Sequence, residues 1–294
     1  MKQIKLNKGY LDLPDCWEDL NFKQKLFAFE ILFRVINGDL KSQPHTALIL
    51  LLIEFTGYRP SRKYAANMEI INFNLLRLSE QIKFIFTVDE EEYKITPQYG
   101  FKTNPFSYIK IGRKKFFGKR FELDITAKTN ITAREFVDCS DLLIAMNKMQ
   151  SEEEKQECVN QICAILYPST GNYMQNMVSG HNKAMKTVNP VIKFGIVYWF
   201  TGIVKFYTEH EIYSLLFSGN KNEDEGKVQL GNEILLMLQR EGYGFPDTMN
   251  LNDYFDAQIK HLKDIIGKAL GEGLEAFKIA QKTGIDLSII NKLS

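Results

Sequence analysis

The sequence predicts an α+β protein that is predominantly α-helical and carries one small antiparallel β-hairpin element. Apolar residues recur at helical spacing over most of the 294 residues. Between residues 82 and 126 this period gives way to short runs rich in Ile, Phe, Tyr and Thr, which favour strands. The expected segments are an N-terminal helical part (1–81), the β-hairpin element (82–129), a helical core (130–241), and a linker with C-terminal amphipathic helices (242–294).

The N-terminal part begins with a short extended stretch and continues as helices. Asn21 followed three residues later by Gln24 is typical of a capping box, and Gly38 marks the end of the helix that this box begins. A second helix is predicted from Pro44, and it is apolar on most sides, so we expect it to be buried. A third helix is predicted over residues 67–80.

The β-hairpin element consists of short strands separated by turn residues such as Pro97, Gly100 and Pro105. Its last hairpin contains the most basic stretch of the chain, residues 108–120, which has six Lys or Arg and no acid. The turn of this hairpin is expected either at residues 112–114 or near Gly118.

The helical core is predicted from start signals that each precede an apolar periodic run. An exposed loop is expected at residues 218–226, which are polar and charged, and a further helix at residues 228–240. The start signals are Thr132 with Glu135, Ser151 with Glu154, Asn189 with Pro190, and Thr208 with Glu211.

The C-terminal segment contains an amphipathic helix that follows a turn-rich linker. Its apolar residues fall four, three, four and four positions apart, so they share one face of the helix. A face of this kind docks either on its own core or on a neighbouring subunit. We expect it to contact a partner through Phe255, Ile259, Leu262 and Ile266.

Positive and negative charges nearly cancel over the whole chain, so a function that depends on positive charge has to reside in a local basic patch. There are 37 Lys and Arg against 36 Asp and Glu, a formal net charge of +1, so the whole protein has no strong field to attract a polyanion. We expect the basic hairpin to contact a partner through Arg113, Lys114, Lys115, Lys119 and Arg120.

Nucleic acid is the alternative partner for this hairpin. We expect the geometry of a strand to disfavour nucleic-acid binding. Side chains alternate between the two faces of a strand, so Lys110 and the other even-numbered positions are not expected to share one face with Arg113 and Lys115. Cations beside stackable aromatic rings would favour nucleic acid. Of Phe116 and Phe117, one is expected in the core and one at the edge.

Sequence patterns indicate neither export nor membrane insertion. The N-terminus lacks the apolar stretch of a secretory signal, and the longest apolar runs are well short of the roughly 20 residues that span a bilayer. Cys16, Cys139, Cys158 and Cys163 include no C-x-x-C pair, which favours a reducing compartment.

No reaction centre is predicted from the sequence. The four histidines lack a metal-binding spacing, and neither a nucleophile elbow nor a phosphate-binding loop is present. Glu135, Asp138 and Asp141 lie in the first turns of a predicted helix, where acids complement the helix dipole. We therefore predict a protein that is not an enzyme and that needs no cofactor or metal.

Three stretches stand out together: "LPDCWEDLNFKQKL" (13–26), "KKFFGKRFELDITAKTNITAREFVDC" (114–139) and "QICAILYP" (161–168). Together they resemble uncharacterised morphogenesis proteins of phages and prophages of Bacteroides-type bacteria, and the resemblance covers residues 13–168. It implies a virion structural or assembly protein of the tail or neck, and it transfers no functional residue.

This resemblance sets the functional expectations. We expect a non-enzymatic phage protein that acts through contacts with other phage proteins and forms a homo-oligomer in an assembly. It is expected in the host cytoplasm during assembly, with the virion as its alternative final location. The alternative function is a nucleic-acid-binding or DNA-packaging accessory protein that uses the hairpin at 108–120.

Overall fold

The structure is a computed structural model in which helices predominate and short strands pair as hairpins. It describes residues 2–6, 9–38, 40, 43–57, 82–88, 95–121, 129–169, 181–211, 213–214, 249–283 and 287–293. The elements in chain order are β1 (Lys2–Leu6), β2 (Gly9–Leu13), α1 (Phe22–Asn37), α2 (Pro44–Thr56), β3 (Phe86–Val88), β4 (Ile95–Pro97), β5 (Tyr108–Ile111), β6 (Lys114–Phe117), α3 (Ala133–Lys148), α4 (Glu152–Leu166), α5 (Pro190–Glu209), α6 (Leu251–Gly271), α7 (Ala276–Thr283) and α8 (Leu287–Leu293).

The predicted fold class, a predominantly helical α+β protein, is confirmed. The described strands form three antiparallel two-stranded sheets, β1 with β2, β3 with β4, and β5 with β6. The extended start of the chain is itself a hairpin, in which Lys2 pairs with Leu13. The helices predicted at 67–80 and 228–240 lie outside the described residues.

Capping explains where several helices begin. The Asn21 side chain accepts a hydrogen bond from the backbone N–H of Gln24, and the Gln24 side chain accepts one from the Asn21 N–H. Thr132 and Glu135 form the same reciprocal pair at the start of α3. Each box satisfies two backbone donors that a helix start leaves without an intrahelical partner, so both predictions are confirmed.

The remaining start signals have mixed outcomes. The Ser151 hydroxyl accepts the Glu154 backbone N–H at 3.5 Å, so it caps α4 as predicted. Asn189 accepts the Val191 N–H at the start of α5. Thr208 begins no helix, because α5 continues through it to Glu209.

The described residues belong to two compact units whose segments alternate along the chain. Unit 1 contains residues up to 118 and residues 184–202. Unit 2 contains residues 119–121, the described residues from 129 to 183, and the described residues from 203 onward. The four sequence segments predicted above are consecutive, whereas each unit combines residues from distant parts of the chain.

Unit 1 is built around stacked aromatic rings. The buried Trp17 ring lies between Phe29, at a centroid distance of 4.8 Å, and Phe101, at 4.4 Å. Tyr198, from the first part of α5, stacks on Tyr99 at 4.5 Å and donates a hydrogen bond to the Gln98 carbonyl oxygen. Large rings bury large apolar areas, so this cluster contributes to the stability of unit 1.

Unit 2 has an aromatic centre of its own. The rings of Phe136, Tyr207 and Phe255 lie with centroids 4.6 to 5.8 Å apart, each ring coming from a different helix. The starts of α3 and α6 are joined by backbone hydrogen bonds, from the Ala133 N–H to the Met249 carbonyl oxygen and from the Leu251 N–H to the Ile131 carbonyl oxygen. The first part of α6 is therefore integral to unit 2.

A helix that crosses a bilayer needs about 20 predominantly apolar residues. Among the helices of the described residues, none is both long enough and apolar enough to cross a membrane.

Candidate functional site

The basic hairpin is formed by β5 and β6, which are joined by the two residues Gly112 and Arg113. Ile111 pairs with Lys114, and the register then runs back to Tyr108 opposite Phe117. Gly112 has φ +59°, a left-handed conformation that favours glycine at this position of a two-residue turn. The first of the two predicted turn positions, residues 112–114, is thus the one observed.

One face of the hairpin carries cations and aromatic rings together. Tyr108 and Lys110 share a face of β5, and their cross-strand partners Phe117 and Lys115 lie on the same face of β6. All four side chains are exposed, Tyr108 by 41% and Phe117 by 67%. We refer to Tyr108, Lys110, Lys115 and Phe117 as the hairpin face.

This arrangement corrects the expectation that strand alternation separates Lys110 from Lys115. Alternation holds within one strand, but residues that pair across a two-residue turn lie on one face although one has an even number and the other an odd number. Lys110 and Lys115 are such a pair. Arg113 and Lys114, in and beside the turn, are exposed as well.

The opposite face of the hairpin points inward. Ile109 is 2% exposed, and its partner Phe116 is half-buried. The expectation that the two neighbouring phenylalanines differ in environment therefore agrees with the structure, with Phe116 as the inner ring and Phe117 as the outer one. Sequence reasoning did not select Tyr108, which the register with Phe117 would have identified.

Lys119 is not a partner-binding residue, which corrects another prediction. It is buried in unit 2, where its Nζ lies 2.7 Å from the Glu135 carboxylate and donates to the Asn130 carbonyl oxygen at 3.2 Å. Its backbone N–H donates to the Leu166 carbonyl oxygen. Arg120 is exposed, and its contact with a partner stays a prediction.

Glu135 combines two structural tasks. One carboxylate oxygen accepts the Thr132 backbone N–H, and the other is paired with Lys119. Burial raises the pKa of the Glu135 carboxyl above its ordinary value of 4.5, while the Lys119 ammonium and the bonds from Thr132 oppose that rise. Because every one of these partners belongs to the protein fold, we interpret this pair as a structural one.

Other groups that could have formed a reaction centre also have structural partners. Asp138 is paired with Arg134 on the same helix at 3.2 Å. His181 lies 2.8 Å from the Tyr167 carbonyl oxygen. Side-chain ligand atoms of Asp15, Cys16 and Asp19 lie within 4.8 Å of one another at the short helix after β2, where Asp19 accepts the Asp15 backbone N–H, as expected of acids at a helix start.

The apolar face of α6 is used within the chain. Phe255, Ile259 and Ile266 are buried, and Leu262 is half-buried. The expectation that Phe255, Ile259 and Ile266 contact a partner is therefore corrected, because their side chains are buried in unit 2, whereas for Leu262 it stays a prediction. The pattern of the sequence shows that a face is apolar, and it cannot show what covers that face.

Three large apolar side chains nearby remain exposed. Leu270, at the end of α6, is 40% exposed, Phe277 on α7 is 61% exposed, and Leu287 on α8 is 39% exposed. We refer to these three as the C-terminal apolar residues. They are not members of the buried cluster of this region, which consists of Ile266, Ala269, Ile279 and Ile290.

Comparison with known proteins returned no match: no family model, no curated protein and no solved structure is similar to this chain. Two exposed surfaces of the described residues are candidate contact sites, the hairpin face of unit 1 and the C-terminal apolar residues of unit 2.

Proposed function

We propose that this chain is a non-enzymatic bacteriophage virion structural or assembly protein of the tail or neck, and that it acts through protein–protein contacts. The sequence resemblance over residues 13–168 suggests the class. The observation that carries the mode of action is the exposure of the C-terminal apolar residues, above all Phe277 at 61%. In this role the chain contacts other copies of itself and other phage proteins.

The C-terminal apolar residues lie outside the small core of the C-terminal helices. Helices α7 and α8 fold back on the end of α6 and bury Ile266, Ala269, Ile279 and Ile290 in a small cluster. Leu270, Phe277 and Leu287 are not part of it and stay exposed. Burying a Phe or Leu side chain contributes about 1.5–3 kcal/mol, so a second copy that covers the C-terminal apolar residues gains stability from them.

Self-association tests this mode of action. Light scattering coupled to size-exclusion chromatography should show an oligomer for the wild type and a smaller species for Phe277→Ser. Phe22→Ser is the matched control, because Phe22 is exposed by a similar fraction, 56%, but lies in unit 1. The proposal predicts that Phe22→Ser leaves the oligomer unchanged. A monomeric wild type at all concentrations would contradict self-association.

The phage assignment has a separate test. Quantitative mass spectrometry of purified particles and of assembly intermediates should detect the chain in one of them at a fixed copy number. Absence from both would contradict a structural or assembly role, whatever the oligomeric state of the isolated protein.

A further inference from the structure

The hairpin face offers positive charge that is not neutralised by the described residues. Lys110 and Lys115 face each other directly across the two strands, and Arg113 lies in the turn, whereas Lys114 pairs with Ile111 on the opposite face. Among the described residues, none forms an ion pair with Lys110, Arg113 or Lys115, and the sequence contains no acid from residue 101 to residue 121. Like charges placed opposite each other in a sheet repel, so a bound anion stabilises this arrangement.

The same face offers two aromatic rings. The centroids of Tyr108 and Phe117 lie 6.3 Å apart with the rings inclined by 58°. The Lys115 Nζ lies 4.6 Å from the centroid of the Tyr108 ring, a cation–π contact that places an ammonium group beside the ring. Phe117 is 67% exposed, so most of its area is open to a ligand.

Positive charge beside exposed rings matches the chemistry of a single nucleic-acid strand. Cations follow the phosphate backbone, and aromatic rings stack on bases without regard to sequence. In a duplex the bases already stack on each other, so exposed protein rings gain little from it. The rings therefore favour a single strand over a duplex.

We propose that the hairpin face binds single-stranded nucleic acid, with Lys110, Lys115 and the turn residue Arg113 at the phosphates and with bases stacked on Phe117 and Tyr108. This function goes beyond the assembly role proposed above and does not depend on it. The distribution of residues along the hairpin disfavours an anionic lipid surface. The turn that would enter the lipid first is charged, and the rings lie at the opposite end of the strands.

Fluorescence anisotropy of the full chain tests the proposal. The probes are a labelled oligothymidylate, a duplex of equal length and vesicles that contain phosphatidylserine. The expected result is tighter binding to the single strand than to the duplex, with a negative dependence on salt. Equal binding to strand and duplex, or binding to vesicles alone, would overturn the proposal.

The cations are tested by changing Lys110, Arg113 and Lys115 to Ser together. The logarithmic salt slope should become shallower by about 0.7 for each phosphate that the variant no longer binds, up to about 2 for three phosphates. The matched control changes three exposed lysines of α6 and α7 to Ser, namely Lys260, Lys268 and Lys278. It alters the net charge equally, and it should leave the slope unchanged. Similar effects of the two sets would indicate nonspecific attraction and would overturn the assignment to the hairpin.

The rings are tested by Tyr108→Leu with Phe117→Leu, which keeps apolar bulk on the strands but removes the aromatic faces. Without base stacking, single-strand binding should weaken about five- to 150-fold for each base that no longer stacks. The salt slope should stay as in the wild type, because the phosphate contacts remain. Unchanged affinity, with circular dichroism showing an intact fold, would refute stacking on this face.

Discussion

At the scale of single residues, the buried pair of Lys119 and Glu135 shows how a charge in a basic run can belong to the interior. The Lys119 side chain is 9% exposed and the Glu135 side chain is fully buried. Removing two charges from water costs energy that their attraction and hydrogen bonds only partly return, so the pair adds little net stability. Removal of one partner destabilises the protein strongly, because it leaves a buried charge without its counter-charge.

Lys119→Met is therefore expected to destabilise the protein by about 3–5 kcal/mol. Adding Glu135→Gln should restore most of this stability, since glutamine keeps an oxygen for the Thr132 N–H without the charge. Urea unfolding followed by circular dichroism measures both effects. Arg120→Met is the control, because Arg120 is exposed and its replacement should stay within about 0.5 kcal/mol. A destabilisation by Lys119→Met no larger than that of the control would contradict the structural role.

The sequence alone does not show whether a given charged side chain is exposed or buried, and this limits prediction at the level of single residues. The sequence does not distinguish a lysine that is exposed on a strand, such as Lys115, from a lysine that is buried against a carboxylate, such as Lys119. The capping function of Glu135 was predictable, because it depends on a spacing of three residues from Thr132. Its pairing with Lys119 was not predictable, because the partners are 16 positions apart and come together only in the folded unit.

At the scale of elements, α5 approaches the aromatic core of unit 1 through a glycine. A Cβ atom at Gly195 would lie 2.8 Å from ring carbons of both Phe29 and Phe106. Such distances are well inside van der Waals contact. The helix can therefore pack this closely only where a side chain is absent.

Gly195→Ala is expected to destabilise the protein by about 1–3 kcal/mol through overpacking, although alanine favours helices. Gly267→Ala is the matched control, because no atom lies within 4 Å of the Cβ position at this helical glycine. There the change should stabilise by about 0.5–1 kcal/mol. Thermal unfolding of the two variants should shift in opposite directions. A Gly195→Ala variant as stable as the wild type would show that the rings move aside at little cost.

Element prediction was accurate where local chemistry decides the structure. The boxes at Asn21 and Thr132 and the break at Gly38 involve residues within one turn of each other. Prediction failed at Thr208, where a threonine in a continuing helix donates to the Lys205 carbonyl oxygen instead of capping a new helix. A threonine hydroxyl forms a hydrogen bond both when it caps a new helix and when it donates to a carbonyl oxygen of its own helix. The sequence alone therefore does not distinguish these two roles.

At the scale of the whole molecule, the C-terminal helices differ in their importance to unit 2. Leu251, Tyr254 and Phe255 at the start of α6 are all at most 2% exposed. The end of α6 contributes Ile266 to the small cluster with Ile279 and Ile290. A truncation should therefore have different effects at residue 250 and at residue 271.

Removing residues 251–294 is expected to unfold unit 2, because its core is then without Tyr254 and Phe255. Removing residues 272–294 should leave that core intact and should abolish only the small C-terminal cluster. Hydrogen exchange of α3 amides distinguishes the two results, with protection absent in the longer truncation and kept in the shorter one. Protection in both truncations would contradict the placement of α6 in the core of unit 2.

The interleaving of the two units has a consequence for biosynthesis. Tyr198 must be present for the aromatic cluster around Trp17, Phe29 and Phe101 to close. Ribosomes add about 5–20 residues per second, so a nascent chain that has reached residue 118 waits several seconds for residue 198. During that interval its rings are open to chaperones and to neighbouring polypeptides, and slow translation increases the risk of aggregation.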